Sequence, residues 1–163
     1  MPDQSFAQRI RHLAATRPDA PAISVGAETT TFADLDRWTN RFARRMTDLG
    51  VGVGDFVTVA EPNSAEFLVS TIACWKIGAI PQPVSARLPG LELEQIVELA
   101  DSAVVVGADV EGRRCLAARS ATDITTATYD DADLPDAVSP AWKAPTSGGS
   151  TGRPKLIVSG DPS

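Results

Sequence analysis

Amphipathic helical segments alternate with short apolar strands along most of this chain. That alternation restricts the fold more than any other feature. Residues 31–49 are the clearest helix. Phe32, Leu35, Trp38, Phe42, Met46 and Leu49 recur at steps of three or four, which puts them on one face. Thr31 with Asp34 supplies an N-cap, and Gly50 is a C-terminal stop. Residues 5–16 read as an earlier helix, with Phe6, Ile10, Leu13 and Ala14 in a stripe and a Ser5/Gln8 capping box. Residues 64–77 read as a helix that is apolar nearly all round, capped by Asn63 with Glu66 and ended by Gly78. Residues 91–100 form a further helix, with Leu93, Ile96, Val97 and Ala100 facing inward. Short strands are expected at 22–25, 56–60, 79–84 and 103–106, and the turn at Gly26 leads into Thr29, Thr30 and Thr31. Pro81 and Pro83 confine the 79–84 strand to a sheet edge or end. Residues 109–120 are expected to be helical despite Gly112, and 124–129 to be a strand. The order predicts an α/β class: a three-layer domain with a largely parallel sheet.

A chain of 163 residues is enough for one domain, and 43% hydrophobic with 22% charged residues is ordinary globular composition. The net charge of −6 argues against a general nucleic-acid partner. It leaves room for a small anionic ligand held by one local loop. The N-terminal residues lack a signal-peptide pattern, and the apolar run over 67–75 stops at Lys76, too short to span a bilayer. No membrane insertion and a cytoplasmic location are therefore expected. Cys74 and Cys115 have neither metal nor disulfide-framework spacing, and Cys74 reads as a small core residue. His12 reads as a solvated surface residue. Arg37, Arg41, Arg44 and Arg45 read as a solvated helix face. The Gly50, Gly52, Gly54 run follows a helix and precedes a strand, the reverse of a dinucleotide loop. Residues 130–140 are acidic and contain proline. Asp130, Asp131, Asp133 and Asp136 lack calcium-loop spacing, so this stretch reads as a solvated connection.

Residues 146–155 hold the chemistry. Gly148, Gly149 and Gly152 let backbone N–H groups turn toward an anion, Ser147, Ser150 and Thr151 offer hydroxyls, and Lys155 offers a compact cation. Residues 142–145 and 156–158 read as strands, so the loop joins strands. A Walker-type loop opens a helix with Gly-Lys-[Ser/Thr]. Pro154 before Lys155 and Leu156 after it break that pattern. What remains is a phosphate cradle of another kind.

Ser147 to Lys155 resembles the phosphate-binding motif of the adenylate-forming superfamily, which includes acyl-CoA synthetases, adenylation domains of peptide synthetases and luciferases. The usual form is Thr-Ser-Gly-Ser-Thr-Gly-x-Pro-Lys-Gly. Ser147, Gly148 and Leu156 stand here for its first Thr, first Ser and last Gly. The variant is similar to that of bile-acid and other bulky-acid CoA ligases. Residues 31–35, 50–55 and 73–81 are similar to the family's opening α/β subdomain. The resemblance implies that residues 1–163 are the first part of the N-terminal AMP-binding domain, with the acidic connection at 130–140 and the phosphate loop at 146–155. It implies an acid–thiol ligase that joins a small carboxylic acid to AMP, releases pyrophosphate and passes the acyl group to coenzyme A. It further implies ATP contacts from Ser147, Gly148, Gly149, Ser150, Thr151, Gly152 and Lys155, with Mg2+ bridging the phosphates. No catalytic residue and no metal ligand is assignable in this stretch. Pairing with the remainder of the enzyme, or with a second copy, is expected. The 163 residues alone are expected to have little ligase activity. Two alternatives stand beside this reading: a non-catalytic nucleotide-phosphate-binding or assembly module, and an adenylation domain that loads a carrier protein.

Overall fold

The computed structural model describes residues 4–117, 129–147 and 154–163. Four helices and a parallel sheet organise them. Helix α1 (Phe6–Thr16) opens on the capping box, with Ser5 accepting from the Gln8 amide and Gln8 from the Ser5 amide. Strands β1 (Pro21–Val25) and β2 (Glu28–Thr31) make an antiparallel hairpin. Helix α2 (Phe32–Asp48) starts at the Thr31 cap, whose hydroxyl accepts from the Asp34 amide.

The central sheet follows. Strand β3 (Phe56–Val59), helix α3 (Ala65–Lys76), strand β4 (Ile80–Pro83), helix α4 (Gly90–Ala100), strand β5 (Val104–Val106) and strand β6 (Cys115–Leu116) alternate along the chain. The four strands lie in the order β4-β3-β5-β6, every pair parallel. Side chains alternate across a strand. Val57, Val59, Val104 and Val106 accordingly join Leu35, Phe42, Met46, Val69 and Ile72 from α2 and α3. On the opposite face Val105 joins Leu93 and Val97 of α4. The three layers are thus α1–α3, the sheet and α4, the doubly covered arrangement that parallel sheets require.

Strand β4 is one edge of the sheet, as its prolines demand. Ile80 N donates to Asp55 O and Val84 N to Val59 O, so the even-numbered amides face β3. Pro81 and Pro83 occupy the outward positions, where no ladder donor is needed. A buried polar tie crosses the α4 side of the sheet. Thr58 Oγ1 donates to Gln82 Oε1 at 2.6 Å and lies 2.7 Å from Ser102 Oγ.

Two local expectations are corrected. The cap of α3 is Ser64, whose hydroxyl accepts from the Phe67 amide at 3.3 Å, and not Asn63. The expected helix over 109–120 does not form as far as residue 117. Gly112 adopts φ of +75°, outside the right-handed helical region, and the chain turns into β6 instead. The rest of that segment, and residues 124–128 of the strand expected at 124–129, lie outside the described residues.

Candidate functional site: a hairpin beside the parallel sheet

The chain reaches the glycine-rich stretch along a fastened path. The connection over 130–140 is irregular and mostly exposed, and its first half is also tied to the first two helices. Arg11 NH1 donates to Asp136 Oδ1 at 2.6 Å, its Nε lies 3.5 Å from Asp133, and its NH2 donates to the Leu134 carbonyl at 2.9 Å. Arg41 NH2 donates to Asp131 Oδ2 at 2.6 Å. Arg44 donates to the Ala132 carbonyl at 2.9 Å and pairs with Asp130 at 3.6 Å. Arg41 and Arg44 therefore do not form the solvated face that their helical position suggests. The Arg11 guanidinium, helped by Gln8, holds the Asp136 carboxyl below the usual carboxylate range.

Beyond Asp136 the path crosses α3. Trp75 Nε1 donates to the Trp142 carbonyl at 2.8 Å, and the Phe6 ring stands 4.9 Å from Trp75 and 6.3 Å from Trp142. Lys143 Nζ lies 4.0 Å above the Trp142 ring. Ala144 N then donates to Pro81 O at the open edge of β4.

Two strands follow, β7 (Thr146–Ser147) and β8 (Lys155–Leu156), paired antiparallel. Thr146 faces Leu156, and Ser147 faces Lys155. Backbone bonds continue the pairing outward, from Ile157 N to Pro145 O, Ser159 N to Lys143 O and Trp142 N to Asp161 O. The glycine-rich stretch thus lies between paired strands, which stand at 146–147 and 155–156 and not at the expected 142–145 and 156–158. The pairing places the hydroxyl residue Ser147 and the exposed Lys155 opposite each other at its neck. Gly148, Gly149, Ser150, Thr151 and Gly152, the other residues of the motif, lie outside the described residues, as does Arg153.

A cleft of about 620 Å³ separates this hairpin from α4 and the β4–α4 turn. Thr146, Ser147 and Pro154 line one wall, and Ser85, Glu92 and Ile96 are on the other side. The described part of the hairpin carries the hydroxyls of Thr146 and Ser147 and the ammonium of Lys155, groups of the kind that suit phosphate oxygens. It does not supply carboxylate ligands. Among the described residues no group of three His, Cys, Asp or Glu side chains converges on a metal position. His12 is exposed, and neither cysteine is bonded to another; Cys74 is buried, which raises its thiol pKa. Among the described residues no helix is long and apolar enough to cross a membrane.

Sequence reasoning missed one buried cluster. Lys76 is 3% exposed, and its Nζ donates to Asp36 Oδ1 at 2.6 Å, Asn40 Oδ1 at 2.7 Å and the Asp36 carbonyl at 3.1 Å. Burial lowers the Lys76 pKa in spite of Asp36. Asp36 and Asn40, four apart on α2, were the available signal for a polar face turned inward.

Residues 10–159 match the family described as AMP-binding enzyme. Malpinin synthetase of Mortierella alpina is 34% identical over 151 residues, covering 86% of this chain and 2% of that protein. A feruloyl-CoA synthase of an Amycolatopsis species is 31% identical over 147 residues, covering 85% of this chain and 30% of that protein. Among solved structures, an artificially fused adenylation–PCP di-domain from Klebsiella oxytoca superposes with a TM-score of 0.80 at 21% identity, covering 95% of this chain and 32% of that one. The chain thus spans less than a third of the length of each of these proteins.

Proposed function

The chain belongs to the AMP-binding enzyme family, and from that premise we propose that residues 1–163 form the opening part of the N-terminal domain of an ATP-dependent carboxylic acid–CoA ligase. The reaction would join a carboxylic acid to AMP, with pyrophosphate leaving, and then transfer the acyl group to the thiol of coenzyme A. In this reading the hairpin between β7 and β8 holds the β- and γ-phosphates. Ser147, Ser150 and Thr151 donate hydroxyls, and Gly148, Gly149 and Gly152 allow the backbone amides to approach. Lys155 supplies positive charge where charge develops on the departing pyrophosphate. Magnesium bound with the triphosphate would offset further charge.

The observation that supports this reading most directly is the pairing of Ser147 with Lys155 on either side of the glycine-rich stretch, inside a segment that matches the family. The feruloyl-CoA synthase similarity favours coenzyme A as the acyl acceptor. The likeness to the adenylation–PCP di-domain keeps a second reading in play, in which the acceptor is a carrier protein.

The test is acid-dependent exchange of labelled pyrophosphate into ATP by the protein carrying this chain, across a panel of carboxylic acids. Exchange with at least one acid is expected, and Lys155→Met should reduce it about 10²-fold, the scale of losing one group that stabilises developing charge. ATP binding without exchange for any acid would favour the non-catalytic module. Product thioester formed with coenzyme A, or only with a phosphopantetheinylated carrier, separates the two ligase readings. The 163 residues alone should show little exchange.

A further inference from the structure

We infer that Trp75 is a positioning residue for the β7–β8 hairpin: its indole N–H supplies the hydrogen bond that the proline edge of β4 cannot give. The kinetic consequence rests on the ligase reading above; the structural one does not.

The arm over residues 142–147 runs between β4 and the returning residues 155–161. Toward the return side its bonds form a ladder. Ser159 N donates to Lys143 O and Ile157 N to Pro145 O, and β7 then pairs with β8. Toward β4 there is one backbone bond among the described residues, from Ala144 N to Pro81 O. A further bond from that edge to a carbonyl of the arm would need an outward amide on β4. The outward residues are Pro81 and Pro83, and proline has no N–H. Trp75 fills this gap from α3, its Nε1 donating to the Trp142 carbonyl at 2.8 Å. The indole is itself held. Phe6 of α1 stands 4.9 Å from its ring, and the ring packs against the main core.

The two polar attachments give the arm an angle, where one would leave a pivot. Ala141, Ala144 and Leu156 pack with Ile80 and Phe56, which keeps the arm on the sheet whatever happens at Trp75. Apolar contact is non-directional, so it fixes proximity more than orientation. The Trp75 bond acts two residues before Ala144, on the arm that ends at Ser147 opposite Lys155. Its loss turns the arm about the Ala144 bond and moves Ser147 and Lys155 together, without detaching them. In a reacting site a misplacement of about 1 Å can cost on the order of 10²-fold in rate.

The test uses the protein carrying this chain, with two replacements of Trp75. Trp75→Phe keeps a ring against Phe6. Benzothienylalanine at the same position keeps the indole shape and exchanges only the N–H for sulfur. In acid-dependent pyrophosphate exchange both should lower kcat/KM for ATP about tenfold, the scale of one lost hydrogen bond, and leave KM for the acid unchanged. A crystal structure of the benzothienylalanine protein should show β7 and β8 turned relative to β4, with β3, β5 and α3 superposing on wild type. A tryptophan that only stabilises the fold would lower the thermal midpoint of both variants and leave the ATP constants and the hairpin where they are. Wild-type ATP constants in an active variant, or a hairpin that superposes on wild type, would overturn the positioning role. Should the wild-type protein exchange pyrophosphate with no acid, the ligase reading fails, and the hairpin's place in the two crystal structures alone decides for or against Trp75.

Discussion

Replacing Lys76 by methionine removes one ammonium and nearly preserves side-chain volume. Its consequence can be worked from the cluster's geometry. The ammonium makes three hydrogen bonds, two to Asp36 and one to Asn40. The Asp36 side chain is only 12% exposed, so water cannot take over the missing partner fully. Removing one member of a buried pair typically costs about 3–5 kcal/mol, since the other charge stays buried without compensation. A domain of this size has roughly 5–15 kcal/mol of total stability. At a urea slope of about 1–3 kcal/mol/M, the midpoint should fall by about 1 M or more, read by the fluorescence of Trp38, Trp75 and Trp142. The double variant Lys76→Met with Asp36→Leu should recover most of the loss, because replacing both charges by apolar groups is close to neutral. The sign of the pH response follows from burial, which lowers the Lys76 pKa. The unfolded chain holds that proton more tightly. Between the lowered value and the ordinary lysine value, the lysine's contribution to stability therefore rises with pH. Lys76→Met should lack this rise. A single variant within about 0.5 kcal/mol of wild type, or a double variant weaker than the single one, would refute the view that an ion pair joins α2 to α3.

Two further substitutions probe the frame around the site. Gly107 follows β5 with φ of +88°, and a Cβ there would lie 2.6 Å from Glu61 Cγ and 2.7 Å from the Ala60 carbonyl oxygen. Gly107→Ala should therefore lose about 2 kcal/mol or more, seen as a lowered thermal midpoint. Ser64→Ala should cost about 1 kcal/mol in urea unfolding because it removes the α3 cap. Asn63→Ala should stay within about 0.5 kcal/mol.

Local periodicity made much of the fold legible. The α2 stripe needs only the 3.6-residue period, and the Ser5/Gln8 cap needs only a four-residue window. The prolines of β4 announced an edge because they remove ladder donors whatever surrounds them. Partners far apart in sequence were not legible. Asp36 and Lys76 each look like exposed charges until α2 and α3 are packed together. Arg41 and Asp131, ninety positions apart, look like two solvated faces until they meet. Asn63 and Ser64 can both cap a helix, and backbone geometry at the turn decides between them. At the candidate site, residue types alone suggested phosphate chemistry. The structure adds that Ser147 and Lys155 face each other across a hairpin.

The arrangement of β4 has a consequence for how copies of this protein behave in a crowded solution. An exposed sheet edge normally offers alternating donors and acceptors, and a foreign strand can continue the ladder from it. Here the outward positions are Pro81 and Pro83, so the edge offers carbonyls and no amide donors there. One of those carbonyls is already taken by Ala144. Such an edge receives its own hairpin arm and cannot template a reciprocal ladder with a second molecule. The prolines that look like defects in a strand thus make the docking one-way, and guard this edge of the sheet against edge-to-edge association.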